Sequence, residues 1–176
     1  FEKTVDTILK GQINIVQPKV GYRFGFDSVF LASFVNGYIK KNIKKKILLA
    51  DIGAGVGAIS LIVAFKNDNV EITAIENNEE YLKLAEENIL KNSFNKKIKL
   101  VNENIFNANR NLTNYFDIVV SNPPYHSVDG KLSNNILRNA SKRIIDLEKW
   151  LQISISLLKN KGTLFIIFPT DILHKV

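Results

Sequence analysis

From Ile47 onward the chain alternates short apolar runs with longer stretches of helical periodicity. Ile47 to Ile52, Val70 to Glu76, Ile98 to Val101, Phe116 to Val120 and Gly162 to Phe168 read as five strands. Gly57 to Phe65, a segment capped by Asn78, and Asp146 to about Lys159 read as helices among them. The strands are rich in Ile, Val and Leu, the pattern of strands covered on both sides. Strands alternating with helices build a mainly parallel sheet with helices on both faces, so the fold class is α/β. Such sheets bind ligands outside the carboxyl ends of their strands. The residues that follow each strand are therefore the place to look for chemistry.

Strand one runs into Asp51-Ile52-Gly53-Ala54-Gly55-Val56-Gly57. Glycines let a backbone turn sharply and approach a ligand with no Cβ in the way. The helix that follows begins with backbone N–H groups that lack helical partners. Glu76, ending strand two, can accept from both hydroxyls of a ribose. Together these residues describe a site for a nucleoside-bearing cofactor. Gly53, Gly55 and Ala58 also fit the dinucleotide fingerprint, so NAD stays open on these residues alone. A purely structural glycine turn is the plainer alternative.

Strand four runs into Ser121-Asn122-Pro123-Pro124-Tyr125. Asn122 carries an amide acceptor and an amide donor. Pro123 and Pro124 have a locked φ and no N–H, so their carbonyls can be aimed rigidly. Tyr125 offers a flat face on which a planar substrate can stack. A strand that merely ends in a Pro-Pro turn is the plainer alternative. The glycine motif about seventy residues upstream weighs against it. Hydride transfer has no clear use for Asn-Pro-Pro-Tyr beside its cofactor, whereas methyl transfer to an amide or exocyclic amine does. His126 follows the motif but is not needed, because an amine can be methylated before it loses its proton.

Ahead of this core, Gly11 to Pro18 alternates polar and apolar residues and reads as a short strand, half of an edge hairpin. Val20 to Phe26 is a glycine-punctuated loop. Asp27 or Ser28 can cap a helix whose apolar positions are Phe30, Leu31, Phe34, Val35 and Tyr38. At 176 residues a single domain is expected, with residues 1–40 as an extension and 41–176 as the core. The chain has no cysteine, and its two histidines, His126 and His174, show no ligand spacing, so no metal site is expected. No apolar run reaches the length of a membrane span, and no signal peptide is visible. A cytoplasmic protein, favoured as a monomer, is the natural reading. The lack of methionine points to a missing, processed or trimmed start. The net charge of +7 suits a polyanionic partner. Abundant Lys, Asn and Ile are also what an AT-rich genome produces, which weakens that argument.

The glycine motif, Glu76 and Asn122-Pro123-Pro124-Tyr125 resemble the Rossmann-type S-adenosylmethionine-dependent methyltransferases, in the branch acting on adenine N6 or glutamine amides. Within that branch, Gln17 to Ala32, with Gly21-Tyr22-Arg23-Phe24-Gly25-Phe26-Asp27 at its centre, resembles the opening segment of the bacterial valine-tRNA methyltransferases, which modify adenine 37 at N6. The resemblance implies S-adenosyl-L-methionine as cofactor and tRNA as partner. It implies that Tyr22, Arg23, Phe24, Gly25, Phe26 and Asp27 cover the methionine end of the cofactor. Asp51, Gly53, Ala54, Gly55 and Gly57 would shape its main pocket, and Glu76, with Asn77 beside it, would hold the ribose. Asn104 and Ile105 would lie near the adenine, and Asn122 would border both cofactor and substrate. Asn104 stands where the family usually carries an aspartate; an amide oxygen can accept the same bond without charge assistance. Asn122, Pro123, Pro124 and Tyr125 would be the catalytic set. The family's sheet continues past the fifth strand with an antiparallel pair, and those strands are expected to be missing here.

On this reading the target base leaves its stack to enter the pocket. Tyr125 would stack on it, a contact worth about 1–3 kcal/mol. Residues 127–145 form a weakly patterned stretch of the kind that often serves as a binding loop. Lys131, Arg138, Lys142 and Arg143 in it, and the Lys40 to Lys46 run, are candidate phosphate contacts or simply solvated charges. Two alternatives stay open: a protein glutamine methyltransferase acting on release factors, and a non-catalytic nucleotide-binding module.

Overall fold

In a computed structural model of the chain, the structure describes residues 2–42, 46–107, 112–123 and 147–168. The order of elements is β1 (Lys3–Ile8), β2 (Ile13–Pro18), α1 (Phe26–Asn42), β3 (Ile47–Ile52), α2 (Ala58–Lys66), β4 (Val70–Glu76), α3 (Glu79–Lys91), β5 (Ile98–Asn102), β6 (Phe116–Ser121), α4 (Leu147–Ser156) and β7 (Leu158–Ile166). A short 3-10 turn, Ile105–Asn107, follows β5. Five strands form one sheet in the order β5-β4-β3-β6-β7, with every neighbouring pair parallel. The α/β sheet expected from the sequence is thus present. The chain lays β4 and β5 on one side of β3, then crosses to place β6 and β7 on the other. That reversal opens a crevice beyond the ends of β3 and β6.

Burial of the central strands is nearly complete. Leu49, Ile72, Ile118 and Val120 face a cluster that includes Leu31, Val35, Leu61, Tyr81 and Leu84 of α1, α2 and α3. Ala50, Ile52, Ile75 and Val119 face the opposite side, with Trp150 of α4. Helices therefore cover both faces of the sheet. Asn78 caps α3 by accepting from Glu80 N and Tyr81 N, and Glu79 and Glu80 occupy its first turn, where negative charge is favourable.

Three local expectations need correction. Helix α1 begins at Phe26, ahead of Asp27 and Ser28. It buries Leu31, Val35 and Ile39, while Phe30 and Phe34 are 59% and 70% exposed. Helical periodicity alone offered both rows, and contact with α2 selects the first. Helix α4 stops at Ser156 and β7 already begins at Leu158, not at Gly162. The cause is pairing: Tyr115 N and Phe116 N both donate to Leu157 O, which draws the chain alongside β6 at once. The register then shifts between Phe116 and Ile118, and Lys161 takes a positive φ of 68° before the strand resumes.

The Gly11 to Pro18 strand is β2, and its hairpin partner is β1, paired antiparallel. This two-stranded sheet rests on α3 through side chains. Asn88 Oδ1 accepts from Val16 N at 2.6 Å, and its Nδ2 donates to Val16 O and Val56 O, each at 2.9 Å. One turn later Asn92 repeats the pattern on Asn14, at 3.0 and 2.7 Å. Two carboxamides on one helix face thus satisfy the edge of β2 as a third strand would.

Candidate active site

Ile52 and Ser121, the last residues of β3 and β6, are register partners. The glycine turn and the Asn122 motif therefore leave the sheet side by side. After β3, Gly53 N and Ala54 N both donate to Ile75 O, at 2.9 and 3.0 Å, which folds the chain over the end of β4. Gly53, Gly55 and Gly57 have φ of 70°, 56° and 83°, values that favour glycine. A Cβ on Gly53 would meet the Trp150 ring at 3.4 Å. One on Gly55 would meet nothing within 4 Å, so room for a ligand lies beside that residue.

Glu76 ends β4 and holds this turn. Its Oε2 accepts from Gly55 N at 2.9 Å, and its Oε1 accepts from Asn77 N and Asn78 N at 3.0 and 2.8 Å. A carboxylate has about four acceptor directions, two on each oxygen, so Oε1 is filled by its two bonds and Oε2 retains one direction for a hydroxyl. Asp51 lies beneath, fully buried. Its Oδ2 accepts from Ser60 Oγ at 2.6 Å and Ser60 N at 3.2 Å, while Oδ1 has no partner among the described residues. Burial pushes the Asp51 carboxyl up to about 6; the Ser60 bonds pull it down and Glu76 adds a smaller upward push.

Ser121 Oγ donates to Ile52 O at 2.9 Å, and Asn122, half-buried, and Pro123, buried, follow at the carboxyl end of β6. Asn122 Nδ2 donates to the Tyr22 hydroxyl at 3.3 Å. The loop before α1 is thereby placed against the motif, although a hundred positions separate the two residues. That loop is held from behind. Arg23 donates to Thr4 Oγ1, to Pro18 O and to the Asp6 carboxylate, at 2.7, 2.8 and 2.6 Å. Gln17 Nε2 donates to the same Asp6 oxygen, and Gln17 Oε1 accepts from Phe24 N at 3.2 Å. The Arg23 guanidinium is thus engaged with the β1–β2 hairpin. Gly25, Phe26 and Asp27 are exposed where α1 begins.

Asn104 is exposed and its Oδ1 accepts from Phe106 N at 3.0 Å; Ile105 is buried against the Trp150 side of the sheet. Asn77 is exposed beside Glu76. Pro124, Tyr125, His126, residues 127–145 and residues 43–45 of the lysine run lie outside the described residues. Among the described residues no group of His, Asp or Glu side chains could hold a metal, and no helix is long and apolar enough to cross a membrane.

Two residues that position the site were not found from the sequence. Asn88 joins α3 to Val56 inside the glycine turn, and its sole signal is a position in step with Tyr81 and Leu84 on the apolar row. Trp150 Nε1 donates to Ser121 Oγ at 3.1 Å, and nothing but its being the chain's single tryptophan marks it.

Comparison with known proteins agrees with this geometry. A curated relative of Bacteroides thetaiotaomicron, named tRNA1(Val) (adenine(37)-N6)-methyltransferase, is 28% identical over 94% of this chain and 67% of its own length. A relative of the same name from Tolumonas auensis is 30% identical over 91% of this chain and 65% of its own. The chain thus spans about two thirds of the length of these relatives. Among solved structures, a SAM-dependent methyltransferase of Agrobacterium tumefaciens shares the fold, with a TM-score of 0.68, 14% identity, and coverage of 94% of this chain and 52% of that one. The family model of the methyltransferase small domain matches residues 29–171, from the start of α1 to beyond β7, and the chain belongs to that family.

Proposed function

We propose that this protein transfers a methyl group from S-adenosylmethionine to the exocyclic N6 amine of an adenine in tRNA, adenine 37 of valine tRNA being the expected target. The observation that carries the reading is the shared register of Ile52 and Ser121, which sets a glycine turn with open space at Gly55 beside Asn122 and Pro123, the first two residues of the Asn-Pro-Pro-Tyr motif. The names of the curated relatives support the substrate. The residues present suit the cofactor: Glu76 Oε2 keeps one acceptor direction for a ribose hydroxyl, and the buried Asp51 Oδ1 is an acceptor without a described partner. The Gly21 to Asp27 loop would close over the same end of the sheet, with Asn104 and Ile105 toward the base. We take the chain to act as one domain, in the cytoplasm and as a monomer, without a metal.

The cofactor supplies an electrophilic methyl carried on a sulfonium. The residues must solve the other half of the problem, a nitrogen whose lone pair is delocalised into the adenine ring. Asn122 Oδ1 and the Pro123 carbonyl would each accept one N6–H, bending the N–H bonds so that the nitrogen becomes pyramidal and its lone pair leaves conjugation with the ring. Positive charge would grow on the nitrogen as its bond to the methyl formed and the methyl's bond to sulfur broke, leaving a neutral thioether, and both oxygens would stabilise that charge more strongly than they did the neutral amine. The proton leaves afterwards to water, so no strong base is required. Tyr125 would stack on the flipped base.

The test is incubation of the protein with methyl-labelled donor and either unmodified tRNA or a release factor. Label is expected in the tRNA, as N6-methyladenosine. Label in the release factor alone would overturn the substrate assignment, and donor binding without label in either would leave a binding module.

A further inference from the structure

A carboxamide is nearly symmetric in shape, but its two ends are opposite in chemistry. If Asn122 is to accept an amine hydrogen, it must present Oδ1; the flipped rotamer would set N–H donors against N–H donors. Something in the site must choose the rotamer. Asn122 Nδ2 donates to the Tyr22 hydroxyl at 3.3 Å. We infer that Tyr22 is a positioning residue for methyl transfer: by accepting from Asn122 Nδ2, it holds the carboxamide with Oδ1 toward the substrate amine.

A tyrosine hydroxyl can donate as well as accept, so its own polarity has to be set. The Asp27 carboxylate lies close enough to interact with Tyr22, and burial, then Asp27, then Tyr81 hold the Tyr22 phenol above its ordinary range. The hydroxyl therefore stays protonated at neutral pH. A protonated phenol oxygen keeps lone pairs with which to accept from Asn122 Nδ2. The place of Tyr22 is fixed in turn. Its carbonyl accepts from Tyr81 OH at 3.3 Å, and the next residue, Arg23, is bound to Thr4, Asp6 and Pro18 of the hairpin. The β1–β2 hairpin thus acts on the site through Arg23 and Tyr22, which assigns a task to a segment that touches no reacting atom.

The inference rests on the proposed amine methylation, and the test separates the two. Tyr22→Phe should lower kcat about tenfold while changing donor affinity less than about threefold. Added to Asn122→Ala it should cost nothing further, because the group it orients is gone. A loss that multiplies in the double variant, or a loss in donor affinity with kcat intact, would make Tyr22 a structural or cofactor contact and overturn the inference. If the wild-type protein methylates no RNA, the proposed function fails, yet the orientation can still be read by NMR. In protein labelled with 15N-asparagine, the Asn122 side-chain amide is the signal missing from Asn122→Ala. In Tyr22→Phe it should shift and exchange faster with solvent; an unmoved signal overturns the inference.

Discussion

Trp150 Nε1 donates to Ser121 Oγ at 3.1 Å, and that hydroxyl donates onward to the Ile52 carbonyl. One buried hydroxyl therefore links α4, the end of β6 and the end of β3. The Trp150 ring also lies 3.4 Å from where a Cβ on Gly53 would stand, so the same side chain bounds the glycine turn. The two halves of the site share one brace beneath them.

Ser121→Ala removes that link. It leaves the Trp150 N–H without its acceptor and Ile52 O without this donor, all of them buried. A loss of about 2 kcal/mol is expected, since a stranded buried polar group costs its desolvation. Urea unfolding reads it directly. A change below about 0.5 kcal/mol, the size of an ordinary surface substitution, would show that the hydroxyl carries no such strain.

Asp51 gives the folded protein a pH dependence of known sign. Burial pushes its folded pKa up to about 6, above the ordinary carboxylate value of 3.8, so the folded state holds the proton longer. Stability from this group is present at low pH and is lost as pH rises from about 4 through 6. Relative to Asp51→Asn, the cofactor-free wild type should lose about 2 kcal/mol between pH 4.5 and 7. Unfolding of both proteins at the two pH values measures it. A constant difference would mean that the Asp51 carboxyl is not raised in the folded protein.

Gly55→Val tests the cofactor pocket. The position is open around a Cβ, and φ is 56°, which a β-branched residue resists. The isopropyl group would project into the room assigned to the ligand, and the turn would be strained. Calorimetry should find no binding of S-adenosylmethionine or its demethylated product, while circular dichroism shows the fold retained. Unchanged affinity in the folded variant would place the cofactor elsewhere.

The parallel sheet is legible because β3, β4 and β6 are rich in Ile, Val, Leu and Ala and each is followed by a turn or cap residue. Asn78 was legible as a cap because its role is local: the side chain reaches N–H groups two and three residues away. What was not legible depends on partners far along the chain. Asn88 looks like any polar helix residue until β2 is docked on it. Strand β1 alternates exposed and half-buried positions with few strong apolar residues, so only its pairing with β2 defines it. The resemblance groups Arg23 with its loop neighbours toward the cofactor, and the bonds of its guanidinium to Asp6 and Thr4 have no signal in the sequence. Tyr22 was grouped likewise, and its contact with Asn122 has no signal in either stretch of sequence.

Asn122→Ala should lower turnover at least a hundredfold while leaving donor affinity nearly unchanged, about the loss seen when one transition-state acceptor or donor is removed elsewhere. Its bond strengthens only as charge develops on the amine, so kcat should carry the effect. Steady-state kinetics with calorimetry of the donor separates the two quantities. A loss confined to donor affinity would make Asn122 a cofactor residue alone.

The central claim is tested most directly by mass spectrometry of tRNA nucleosides from cells lacking the protein. N6-methyladenosine should disappear from valine tRNA, return with the wild-type gene, and stay absent with Asn122→Ala. Full N6-methyladenosine at that position in cells without the protein would contradict the account.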